Sequence, residues 1–207
     1  PKPSSAASDV YKRQVMRKGP LAGLRVIDAG NMIAGPLAAT QMADFGADVI
    51  KLELPGSGDS MRHWTPMKEG LSLWWKVIAR NKRLITLTLS NPRGQELFRE
   101  LVKTADVLIE NYRPGTFERW GLGYEELAKI NPRLVMVRVS GFGQTGPYAK
   151  RGGYGTIAEA FSGIPSFTGT PDRPPTLPGF PMADSVASTF AAMSAMFAIY
   201  NLSLIHI

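Results

Sequence analysis

Asp184 sits in "PMADSVAST" (181–189) among small and apolar neighbours, and no residue from Ser185 to Asn201 carries a charge. A carboxylate after a Pro-rich loop and before a helical segment is expected to be the helix N-cap, bonding the amides of Val186 or Ala187. A carboxylate in an apolar, water-poor pocket can also act as a nucleophile. The two roles are compatible, because amides at a helix start stabilise the anion and any oxyanion near it.

Other chemistries lack their parts. The chain has no Cys, only His63 and His206 as histidines, and no Asp/Glu cluster at ligand spacing, so no metal site is expected. His63 lies in "MRHWTP" without a G-x-S-x-G elbow and reads as a surface-loop imidazole. In "DAGNMIAGP", Gly30 and Gly35 are too far apart for the dinucleotide fingerprint, and there is no Walker pattern. "WWKVIARNKR" (74–83) mixes aromatic and basic residues, but its Trp and Ile spacing suits a core-facing helix better than a nucleic-acid surface.

The elements that must position Asp184 can be traced from the amino-terminal side. "LRVIDAG" (24–30) is a short apolar run ending in Gly, a buried strand. "GPLAATQMADFGA" (35–47) has the Pro start and Gly end of a helix, and "DVIKLE" (48–53) is the next strand, completing a parallel βαβ unit. Residues 54–70 are a loop and 72–82 a helix. "LITLTL" (84–89) is a strand, and 91–105 a helix capped by Asn91 with Pro92 at its first position. Strand 106–111, helix 124–130, strand 133–142 and a short helix at 156–163 follow. The alternation predicts a doubly wound α/β sheet, Rossmann-like and parallel. Ligands of such sheets bind at the carboxyl ends of the strands, here Ala29–Pro36, Glu53–Asp59, Glu110–Gly115 and Ser140–Gly146.

The 207 residues are 44% hydrophobic and 20% charged, a globular composition with a net charge of +7. The absence of Cys fits a cytoplasmic protein. The two ends carry a separate signal. "DVYKRQ" (9–14) can be encoded by a DNA string whose reverse complement encodes "LSLIHI" (202–207), the pattern of a sequencing-library adapter. Residues 1–14 and 202–207 are therefore expected to be adapter-derived, with native sequence running over 15–201. Removing Lys2, Lys12, Arg13 and Asp9 takes +7 to +5, which suits a polyanionic small ligand. The uncharged stretch after Asp184 is about long enough to span a bilayer. Its Ser, Thr and Ala content favours a buried helix instead, so no membrane partner is expected.

Five stretches carry a family resemblance: "GLRVIDAGNMIAGPLAATQMADFGADVIKLELPGSGD", "NKRLITLTL", "DVLIENYRPGTFERWGLGYEEL", "NPRLVMVRVSGFGQTGPY" and "PMADSVAS". In this order and spacing they resemble the class III CoA-transferases, a family that includes formyl-CoA transferase, the carnitine CoA-transferase and the α-methylacyl-CoA racemases. The resemblance implies that 15–201 is the amino-terminal part of a large CoA-binding domain, with the catalytic loop and the start of a linking helix. It implies coenzyme A as co-substrate, a carboxylic acid as acceptor and an interlocked homodimer. It also implies that the segment alone is inactive.

By position, the resemblance makes Asp184 the nucleophile that forms an anhydride and then an aspartyl-CoA thioester. Tyr154 stands where the racemases have His, which favours transferase over racemase. Asn111 and Arg119 match CoA contacts of the family, and Leu87 an apolar neighbour of the adenine. Ile33 and Leu54 replace a Gln and a base-stacking Arg of formyl-CoA transferase, which removes the grounds for formyl-CoA or oxalate specificity. Gly152 replaces a CoA-contacting Lys, with Arg151 beside it as a substitute. A racemase-type enzyme of the same fold and a non-catalytic CoA-binding protein are the alternatives.

Overall fold

The computed structural model describes residues 19–205. In chain order the elements are β1 (Arg25–Asp28), α1 (Ala34–Asp44), β2 (Asp48–Glu53), a 3-10 turn (Ser60–His63), β3 (Met67–Lys68), β4 (Leu71–Ser72), α2 (Leu73–Ala79) and β5 (Lys82–Thr86). They continue with α3 (Pro92–Val102), β6 (Val107–Glu110), α4 (Thr116–Arg119), α5 (Tyr124–Ile130), β7 (Val135–Arg138), α6 (Gly155–Ser162), a second 3-10 turn (Ile164–Phe167) and α7 (Met182–Ile205). The expected tail 1–14 and His206 lie outside the described residues. Leu202–Ile205 continue α7 without a break.

Five strands form one parallel sheet in the order β5-β2-β1-β6-β7, so the chain reverses direction across the sheet between β1 and β6. Alternate residues face opposite layers, as the strand period requires. Ile27, Ile50 and Leu108 meet Phe98, Phe117 and Leu127 from α3, α4 and α5. Val26, Val49, Val107 and Ile109 meet Ala38 and Met42 of α1 and Ala191 and Ala195 of α7. Helices on both faces make the sheet doubly wound, as its sequence pattern predicts. The α3 cap is also as expected: Asn91 Oδ1 accepts the Arg93 N–H at 2.9 Å, with Pro92 at the first helical position.

Several elements differ from the sequence reading. The expected loop at 54–70 holds a 3-10 turn, with His63 exposed on it, and the first strand of a short hairpin whose second strand is Leu71–Ser72. β5 begins two residues earlier than expected and stops at Thr86. Its start is drawn inward by Lys82, whose Nζ pairs with Asp28 at 2.8 Å. Its end is fixed where the Leu87 N–H donates to the Glu53 carbonyl at 2.8 Å.

The expected burial of the last helix holds for one face only. Ser188, Ala191, Ala192 and Ala195 recur at helical spacing, and their small side chains let α7 dock closely on α1 and β7. Phe190, Phe197 and Tyr200 on the other side are exposed. By length and composition alone α7 is apolar enough to cross a membrane.

Candidate active site

Four of the five strands in the parallel sheet end on a charged residue. β1 ends on Asp28, β2 on Glu53, β6 on Glu110 and β7 on Arg138. Each is paired where it emerges. Asp28 meets Lys82, both side chains fully buried. Glu53 accepts a two-pronged contact from Arg62, 2.6 Å to Nε and 2.7 Å to Nη2, which holds its carboxyl below the usual glutamate range. Glu110 and Glu118 share Arg138 at 2.7 and 2.6 Å. Within β2, Lys51 donates to the Gly30 carbonyl and stands 3.0 Å from Asp59 Oδ2, close enough to pair its charge but off the angle of a hydrogen bond. These charges are committed to one another at the carboxyl ends of the strands.

Beside these charges, Asn111 joins the exits of β6 and β1, the point where strand order reverses and where such sheets take ligands. Its Oδ1 accepts the Asn31 N–H at 2.7 Å, and its Nδ2 donates to the Asn31 carbonyl at 2.8 Å. Gly30 and Gly35 press against the same amide, which would sit 3.1 and 3.3 Å from a Cβ at those positions. Two further close approaches bring the loop before α6 to this edge. A Cβ on Gly141 would lie 2.8 Å from Gly153 Cα, and one on Gly152 would lie 3.0 Å from Arg113 Nη2. The loop from 151 to 154 is thereby tied to the exits of β6 and β7.

Asp184 closes this arrangement. It is not the N-cap that its sequence position suggests. α7 begins at Met182, so Asp184 is the third helical residue, and the amides of Val186 and Ala187 are taken up within the helix. The first-turn amide of Ala183 is capped from another element: Glu159 Oε1 of α6 accepts it at 3.0 Å. The Asp184 carboxylate is half-buried, and among the described residues no hydrogen bond reaches it. Gly155, the first residue of α6, lies directly against it. Burial pushes the Asp184 carboxyl above the ordinary aspartate range, and the neighbouring Glu159 charge pushes the same way. The result is an unpartnered, basic carboxylate at the head of a helix.

The other candidate residues are distributed around this edge. Tyr154 immediately precedes Gly155 and is 73% exposed. Leu54 is 50% exposed, and Leu87 packs partly into the core beside it, at the adjacent ends of β2 and β5. Arg119 is exposed at the end of α4, its Nη2 donating to Thr116 Oγ1 at 2.9 Å. Arg151 stacks its guanidinium 4.1 Å above the Tyr148 ring. Ile33 is packed with Met61, Trp75 and Ile78 in a small core of its own. Asn111 spends its amide on the Asn31 peptide. Glu159 has no sequence signal that marks it: an acid on a short helix reads as solvated until the fold buries it. Among the described residues, no three or more His, Asp or Glu side chains gather as a metal ion would need.

Comparisons with known proteins identify the family of the chain. Residues 21–203 match the family model described as CoA-transferase family III. The chain is 53% identical over 183 residues to the succinyl-CoA–D-citramalate CoA-transferase of Chloroflexus aurantiacus, covering 88% of this chain and 46% of that one. It is 45% identical over 184 residues to the acetyl-CoA:oxalate CoA-transferase of Acetobacter aceti, covering 88% and 47%. The crystal structure of a CAIB/BAIF family protein from Brucella suis superposes with a TM-score of 0.87 at 38% identity, over 92% of this chain and 51% of that one. The chain thus spans about half the length of the curated relatives it matches. Family model, sequence similarity and superposition agree: the chain belongs to CoA-transferase family III.

Proposed function

We propose that this chain supplies the CoA-binding sheet and the nucleophile of an enzyme that moves CoA from an acyl-CoA thioester to a carboxylic acid. The observation that carries the reading is the Asp184 carboxylate, half-buried and, among the described residues, free of hydrogen bonds, with the Gly155 backbone against it. A carboxylate that keeps its lone pairs and loses solvation is a stronger nucleophile than one in water.

The steps balance without a proton donor. An Asp184 oxygen bonds to the thioester carbonyl carbon, the C–S bond breaks, and the electron pair leaves on the CoA sulfur. The product is a mixed anhydride. The thiolate then attacks the aspartyl carbonyl, releasing the donor acid as its carboxylate and leaving an aspartyl-CoA thioester. The acceptor carboxylate repeats the sequence in reverse and departs as the new acyl-CoA. Each intermediate hydrolyses if water enters, so an apolar surround around Asp184 serves the chemistry directly.

For the co-substrate, the exposed Leu54 and partly buried Leu87 offer apolar surface at one end of the strand edge. Arg119 and Arg151 offer exposed guanidinium groups suited to phosphate. The racemase-type reading is weaker, because Tyr154 supplies no imidazole for α-proton exchange. Succinyl-CoA, named in the Chloroflexus relative, is the first donor to test, with small dicarboxylic acids as acceptors. The experiment is to incubate the full-length protein with acyl-CoA, trap with hydroxylamine or borohydride, and map the modified residue by mass spectrometry. Modification at Asp184 is expected, and modification elsewhere overturns the mechanism.

A further inference from the structure

Glu159 lies four residues after Gly155 on α6, so both belong to the helix face turned toward α7. Its side chain is almost wholly enclosed, with the residue 5% exposed, and among the described residues the one hydrogen bond it accepts comes from the Ala183 N–H at 3.0 Å. That amide has no partner inside its own helix. Capping alone does not require a charge, since neutral Ser, Thr or Asn oxygens accept the same proton. Burying a carboxylate for this purpose is costly unless the charge has a use. The residue after the capped amide is Asp184.

We propose that Glu159 is a positioning residue for CoA transfer: it holds the first turn of α7 through Ala183 and sets a fixed negative charge against Asp184, which gives up its own charge when acylated. The inference rests on Asp184 being the nucleophile. In the first step the negative charge moves from Asp184 to the CoA sulfur as the C–O bond forms and the C–S bond breaks. Repulsion from Glu159 acts on the carboxylate and vanishes in the neutral anhydride and thioester. The fixed charge therefore raises the free carboxylate relative to both acylated forms and keeps the nucleophile basic.

Among the described residues, the other charges on elements packed against α7 are already paired. α7 carries no charged residue from Ser185 to Leu204. α1 and β7, which also pack on α7, bring Asp44 and Arg138. Asp44 is paired with Arg80, and Arg138 with Glu110 and Glu118. The shift of the Asp184 carboxyl above its ordinary range, with Glu159 as its one Coulombic cause, accords with this placement.

The test uses the full-length protein with succinyl-CoA as probe, in Glu159→Gln and Glu159→Ala forms. Glu159→Gln keeps an oxygen for Ala183 and removes the charge. It is expected to melt with the unmutated protein, to acylate about tenfold more slowly, and to move the acid limb of the acylation profile to lower pH. Glu159→Ala removes cap and charge and is expected to melt lower and acylate more slowly than the Gln form. An unchanged rate and pH profile in Glu159→Gln overturns the inference. Mapping the trapped acyl group in the unmutated protein keeps two failures apart. Absence of label on Asp184 rejects the nucleophile itself, whereas label on Asp184 with indifferent Glu159 variants rejects only the role given to Glu159.

Discussion

Gly155→Ala adds one methyl group where the α6 backbone meets the Asp184 carboxylate. The backbone tolerates it, because Gly155 is not among the residues with positive φ, and Ala is favoured over Gly in a helix by up to about 1 kcal/mol. The space does not. The new Cβ would stand 3.0 Å from Asp184 Cγ and closer still to Oδ2, whereas ordinary contact begins at 3.4 Å. The carboxylate is the movable partner, and relieving the clash takes a swing of about 1 Å. A misplacement of that size costs a reacting group about 10²-fold in rate, or roughly 2.7 kcal/mol of barrier. The expected variant therefore folds as well as its parent, within about 1 kcal/mol by urea titration, and acylates at about one-hundredth the rate. Time-resolved hydroxylamine trapping with succinyl-CoA on the full-length protein measures this directly. Acylation at the parental rate would refute the idea that α6 sets the position of the nucleophile.

Three other substitutions probe the nucleophile, the strand-end charges and the switch point in turn. Asp184→Asn is expected to lose covalent labelling yet melt no lower than its parent at neutral pH. The folded carboxyl titrates above the ordinary 3.8, so its ionised form opposes folding at higher pH, and that cost disappears with the charge. Arg62→Ala strands the buried Glu53 and should cost about 2–3 kcal/mol, less than a fully enclosed pair because Arg62 is about a third exposed. In the unmutated protein the Glu53 contribution is fully present above the ordinary 4.5 and is lost as pH falls through the lower folded value, so acid melting should be less steep in Arg62→Ala. Asn111→Ala removes both bonds to the Asn31 peptide, with an expected loss of about 1–2 kcal/mol in urea and weaker retention on immobilised CoA.

The sheet was legible in the sequence because apolar runs, helix starts and turn residues agreed with one another. β2 and α5 fall at their expected bounds for that reason. β5 slipped because its Thr alternation continues to Leu89, whereas the strand edge is set by Lys82 reaching Asp28, 54 residues away, a pairing that no local pattern encodes. Asp184 was legible as a lone acid before an apolar run. Its place within the helix was not, because the cap that Asp residues usually provide comes from Glu159 on another helix. α7 read as a buried helix because of its Ser, Thr and Ala content. Only docking shows that its small residues form one face and its aromatic residues the other.

The strand-end charges constrain how a sequence with this sheet is able to drift. Asp28 and Lys82 are both fully enclosed, so changing either alone leaves an uncompensated charge in the interior. Lys51 and Asp59 stand in the same relation. Viable substitutions at these sites should therefore arrive in pairs, an acid and a base lost together for two apolar or hydrogen-bonded neutral residues. The positions should thus co-vary across long sequence separations while the surface around them varies freely. These buried pairs behave as a set of linked letters in the sequence, which a one-residue-at-a-time comparison would misread as independent conserved sites.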